Sequence, residues 1–193
     1  MKKQFKIIAL FLVGSLLLTS CSSNDDSNTS SQFMVDGQSF NLLPGGGIVE
    51  VKMDNVHTEQ GQTFDRSSIS LNGVNGSTIA TVVFDLFYKD GLPVEGVYNI
   101  AETLDDYEDD FYSLLLSQQK QCLGWTTACA ISQVGTTFSL NANNPSGTVT
   151  VTNNGNNNYR IQYNGNFREY SSDFQLGRNV PVIIDITSDV VTP

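Results

Sequence analysis

From Gln32 onward, apolar and polar residues alternate in short runs, and the runs end in Gly, Asn or Asp at near-regular intervals. A period of two puts successive side chains on opposite faces of an extended strand, so one face can be buried while the other meets water. Repeated over a chain, that pattern predicts an all-β fold, an antiparallel sandwich or barrel-like single domain over residues 32–193 with one short helix. Asp36-Gly37, between Phe33-Met34-Val35 and Gln38-Ser39-Phe40, reads as a two-residue hairpin turn in which Gly accepts a positive φ. Pro44-Gly45-Gly46-Gly47 reads as a turn or loop before a strand from Ile48 to Met53. Ile79 to Tyr88 is apolar on both faces and is expected to be a central strand, turning at Asp90-Gly91 into a strand from Leu92 to Ile100. Thr148 to Thr152 and Tyr159 to Tyr163 bracket the Asn-rich tip 153–158 as a hairpin. Val180 to Ile186 is a further strand, with Pro181 placing it at an edge or a strand entrance.

One segment departs from the period of two. Leu104, Tyr107, Phe111, Leu114 and Leu115 recur at three- and four-residue spacing, which predicts a helix over about 103–118. Thr103 with Asp106 resembles a capping box, and the carboxylates of the first turns suit the positive end of the helix dipole. A strand from Phe111 to Ser117 is the competing reading.

The first 31 residues follow different rules. A basic start, Met1-Lys2-Lys3-Gln4-Phe5-Lys6, leads into the apolar run Ile7 to Leu18. About a dozen apolar residues are too few for a bilayer core that needs about 20, so residues 1–20 read as a signal peptide rather than a membrane span. Leu18-Thr19-Ser20-Cys21 directly behind that run resembles the lipobox of bacterial lipoproteins. The resemblance implies cleavage after Ser20 and lipidation of Cys21. Residues 21–31 are polar, with nothing to bury, and are expected to form a disordered acidic and Ser-rich tether. Asp25-Asp26 is similar to the export signal of Bacteroidota-type surface lipoproteins, and a merely solvated linker is the alternative.

Composition narrows the partners. Loss of the leader removes Lys2, Lys3 and Lys6 from 10 Lys and Arg and none of the 20 Asp and Glu, moving the formal charge from −10 to −13. Such a surface repels phosphate backbones and anionic lipid heads, which argues against nucleic acid and against membrane contact other than through the lipid anchor. With Cys21 lipidated, Cys122 and Cys129 remain as an even pair in an exported chain, and a disulfide worth about 2 to 3 kcal/mol is expected. Two buried free thiols are an alternative. Zinc at the two cysteines is disfavoured because His57 is the only imidazole and no third cysteine lies nearby.

Three places are candidate ligand sites. Asp105, Asp106, Asp109 and Asp110, with Glu102 and Glu108, form an acidic run that could share a calcium ion. It lacks EF-hand spacing, and a solvated helix start stabilised by the dipole is the favoured reading. A pair of these carboxylates acting on a glycosidic bond would make the chain a glycan hydrolase. Trp125, between the two cysteines, is either a stacking platform for sugars or partner side chains or a plug for one end of the fold. The Asn-rich loops 141–144 and 153–158 offer amides to hydroxyl-rich ligands, although turn chemistry explains them too. No Ser lies in a G-x-S-x-G elbow and His57 reads as an exposed loop residue, so no catalytic residue is assigned.

The lipobox, the acidic tether and the Gly-punctuated β domain together resemble small lipoproteins of Bacteroidota, several of which accompany glycan-uptake machinery. The resemblance implies an outer-membrane, surface-exposed lipoprotein whose domain is a non-catalytic binding or accessory module for a glycan or an envelope protein. A carboxylate-dependent glycan hydrolase and a purely structural envelope protein are the alternatives.

Overall fold

The computed structural model describes residues 31–101, 107–124, 127–133, 139–143, 145–170 and 176–193. The chain begins with β1 (Gln32–Val35), β2 (Gln38–Ser39), β3 (Asn41–Leu42), β4 (Ile48–Glu59), β5 (Gln62–Asn75), β6 (Thr78–Lys89) and β7 (Gly96–Ala101). The helix α1 (Tyr107–Gln118) follows, then β8 (Lys120–Leu123), β9 (Ala128–Gln133), β10 (Ser139–Asn143), β11 (Thr148–Asn153), β12 (Asn158–Tyr170) and β13 (Leu176–Val191). The all-β fold with one short helix is therefore the one observed.

The strands form one sheet whose path returns to its start. β13 pairs with β4, which leads through β5, β6, β8, β7 and β11 to β12, and β12 pairs with β13 again. A sheet closed in this way is barrel-like, with no free edge along the closing strands. β6 also pairs with β9, which connects through β10 to β12, so β8 and β9 lie end to end along the same side of β6. The expectation of a purely antiparallel sheet needs correction at two places. β7 and β8 run parallel (Ile100↔Cys122), as do the ends of β13 and β4 (Val190↔Ile48). Parallel neighbours need a crossover connection, and α1 lies in the one between β7 and β8.

Alternation decides what fills the ring. Val82, Phe84, Leu86 and Tyr88 on β6 join Phe33, Ile69, Leu71, Tyr98, Tyr163, Phe167, Val182 and Ile184 in one large buried core. The opposite face of β6 is not left to solvent. Phe87 packs with Phe64 and Leu123 against Phe111 and Leu115 of α1, and the Phe87 and Phe111 rings meet edge to face at 5.3 Å. That second core explains why the sequence between Ile79 and Tyr88 is apolar on both sides. It also settles residues 107–118 as helix, since Phe111 and Leu115 stand one turn apart.

Local details follow residue chemistry. Asp36 and Gly37 have φ of 52° and 77° and join β1 to β2, as the hairpin signal predicts. The strand expected from Leu92 begins only at Gly96. Pro93 offers no N–H to a ladder, and the carbonyls of Pro93 and Glu95 instead accept hydrogen bonds from Lys120 Nζ. Pro181 is not at a strand entrance but inside the 16-residue β13. Its carbonyl accepts from Asp36 N, so the missing N–H faces the side where β1 ends, and the ladder to β12 is intact there.

Gly73 on β5 tests this packing. A Cβ there would stand 2.8 Å from the Phe33 ring and 2.9 Å from Phe40 Cβ. Gly73→Ala is expected to destabilise the domain by about 1 to 3 kcal/mol, the usual cost of overpacking, measured as a lower urea midpoint at constant slope. An unchanged midpoint would contradict the close approach of β1 to β5.

Candidate functional site

Several sequence candidates fall outside the described residues: Ser20, Cys21, Glu102, Asp105, Asp106 and Trp125. Asp109 and Asp110 fall in the first turn of α1, their side chains outside the description. Among the described residues no group of three or more His, Cys, Asp or Glu is placed to hold a metal ion, and no helix is long and apolar enough to cross a membrane.

The expected disulfide is not formed. Cys122 and Cys129 are free and buried, on consecutive strands that run along β6. Cys122 pairs with Leu86 and Cys129 with Val82, four residues apart on β6. At about 3.3 Å per residue that places their Cα atoms about 13 Å apart, well beyond the roughly 7 Å a disulfide tolerates. Burial pushes both thiols up to about 12, and Thr127 Oγ1 lies 3.5 Å from Cys122 Sγ. Such thiols are inert packing groups.

His57 also differs from expectation. It belongs to β4 rather than to an exposed loop, and its side chain is 23% exposed. The imidazole stacks on Tyr112 of α1 at 3.6 Å and 14°, with Nε2 3.4 Å from Glu59 Oε2 but without hydrogen-bond geometry. Its role in the fold is to hold the helix against the β4–β5 hairpin. The Asn-rich tip is likewise occupied with turn chemistry. Asn156 and Asn157 have φ of 52° and 59°, Gly155 N donates to Asn153 Oδ1, and Asn158 Nδ2 donates to Asp189 Oδ1.

On the inner side of β4 and β5 a polar group is buried within the barrel. Ser67 Oγ donates to Glu50 Oε1, and Lys52 Nζ lies 3.5 Å from Glu50 Oε2. Burial first, and then the Asp65 and Glu50 carboxylates, push the Tyr88 phenol up to about 12. Asp65 Oδ1 accepts a hydrogen bond from Asn55 N at 2.9 Å. Both carboxylates have partners, so this cluster is a satisfied polar lining of the core.

An open recess lies elsewhere, on the outer wall. An open cleft of about 420 Å³ is lined by Gln32 of β1, Thr148 and Thr150 of β11, Gln162 and Asn164 of β12, and Ile183 and Asp185 of β13. Register makes these residues neighbours. Gln32 and Gln162 both stand opposite Asp185, and Thr150 stands opposite Gln162, forming one row across four strands. Asn164 opposite Ile183 begins a second row. The centre is pinned: Arg160 Nε and Nη2 each donate to Asp185 at 2.8 Å, and Gln162 Nε2 donates to Oδ2 at 3.3 Å. The Arg160 hydrogen bonds hold the Asp185 carboxyl below the usual carboxylate range. Side chains fixed on paired strands are well suited to recognition because little ordering remains to be done on binding. In the sequence these residues are merely the outward half of four strands, the default face of an antiparallel sheet, and only the pairing brings them together.

Comparison with known protein families, with curated proteins and with solved structures found no match to this chain.

Iodoacetamide applied to the native domain at about pH 8 is expected to leave Cys122 and Cys129 unmodified, and to label both once guanidinium unfolds the chain. A requirement for reductant before that second labelling would mean that the two sulfurs are bonded after all.

Proposed function

We propose that this chain is an outer-membrane lipoprotein of the cell envelope, cut after Ser20, anchored through an acylated Cys21, and displaying its barrel as a non-catalytic binding or accessory module for a glycan or a protein partner. The observation that carries the binding part is the pinned polar cleft on the outer wall. The large core fills the ring with packed side chains, Tyr98, Phe33, Phe84 and Phe167 among the largest, so recognition falls to the outside. The anchoring part rests on the basic start, the short apolar run and Leu18-Thr19-Ser20-Cys21. Asp25-Asp26 behind the cysteine favours the surface-exposed leaflet.

Tether and cleft are related through the chain path. Gln32 is the first residue of β1 and also lines the cleft, so a tether of residues 21–31 would join the domain at the cleft itself. A flexible chain of that length has a root-mean-square reach of about 18 Å, which keeps the cleft close to the lipid surface. The negative charge of the domain resists collapse onto anionic lipid heads.

Expression of the full chain in a bacterium fed an alkynyl fatty acid tests the anchor. Label is expected on the native chain in the membrane fraction, and Cys21→Ser is expected to lose both label and sedimentation. Equal labelling of the Cys21→Ser chain, or an unlabelled native chain, would overturn the anchor.

A further inference from the structure

Within the binding reading above, on which this inference rests, we infer that the outer-wall cleft of β1, β11, β12 and β13 is a site for a neutral oligosaccharide lying across the strands. The cleft offers hydroxyls from Thr148 and Thr150, amides from Gln32, Gln162 and Asn164, and one carboxylate from Asp185. Amides and hydroxyls both donate and accept, as do the hydroxyl groups of a sugar, whereas an anion would call for a surplus of donors.

Charge selects the uncharged member of that class. The Asp185 carboxylate is compensated by the Arg160 guanidinium, bidentate at 2.8 Å, so the row is close to neutral. Asp185 Oδ1 keeps one acceptor site for a sugar hydroxyl, because a carboxylate has about four such sites and three are taken by Arg160 and Gln162. Without its leader the chain carries −13, which repels sulfated and uronic-acid glycans before they reach the wall.

Shape points the same way. The row from Gln32 through Asp185 and Gln162 to Thr150 crosses three strand spacings, about 14 Å, which is longer than one sugar ring and fits a short chain. Beside it Ile183 gives an apolar patch for the C–H face of a pyranose. A protein partner would favour exposed aromatic anchors, and the one aromatic residue lining the cleft, Tyr163, is 2% exposed with its hydroxyl donated inward to the Ser146 carbonyl.

The test uses the soluble chain from residue 22 onward on an array of neutral glucan, mannan and xylan oligosaccharides beside sulfated and uronic-acid ones, followed by calorimetry on the best neutral probe. Binding to one or more neutral oligosaccharides is expected, weakened about tenfold by Thr150→Val and again by Asn164→Ala, the loss of one or two hydrogen bonds each. Thr58→Val, exposed on β4 away from the cleft, is expected to bind as the native chain does. Capture of anionic probes only would overturn the inference, as would neutral binding indifferent to Thr150 and Asn164 but lost in Trp125→Ala, which moves the site to the 122–129 segment. If no arrayed glycan binds while a purified envelope protein does, the oligosaccharide site is wrong and the binding-module reading stands. If neither binds, both fall.

Discussion

The ladder between β12 and β13 holds this architecture together. It runs from Asn158↔Asp189 to Tyr170↔Leu176, with one irregularity near its far end, and it joins the last strand of the chain to the wall built by the strands before it. Without that pairing β12 and β13 would each present an open edge, and the core on their inner faces, Ile161, Tyr163 and Phe167 against Val182, Ile184 and Ile186, would be open to water. The same ladder builds the outer-wall cleft. Asp185 is opposed by Gln162 and gripped by Arg160 from the next outward position on β12, so closure of the barrel and pre-organisation of the cleft arise from one set of contacts.

Much of the local structure was legible because it depends on short-range rules. Asp36-Gly37 makes its hairpin, the Asn-rich tip between β11 and β12 uses its side chains for the turn, and the spacing of Phe111 and Leu115 makes a helix. What was not legible depends on partners distant in sequence. The alternation of β13 says nothing about β1 ending beside Pro181, which is what lets a proline sit within a paired strand. Cys122 and Cys129 look like a bonded pair at seven residues' separation, but both segments lie extended along β6 and hold the sulfurs apart. His57 looks like a loop residue until α1 folds back and sets Tyr112 on its ring. The cleft was invisible for the same reason, since its residues come from four strands spread from Gln32 to Asp185.

The barrel supplies a body with a filled interior and a polar recess on its wall. The buried Glu50 carboxylate within it is matched to Ser67 and Lys52.

Closure of the sheet is the claim on which the rest stands, and cross-strand proton contacts in the labelled domain test it directly. Nuclear Overhauser contacts are expected in one sample for Ile161 with Ile186, for Leu86 with Cys122 and for Val190 with Ile48. Loss of the Ile161–Ile186 or the Val190–Ile48 link, with fast amide exchange along the strand so freed, would mean an open sheet and would contradict the account.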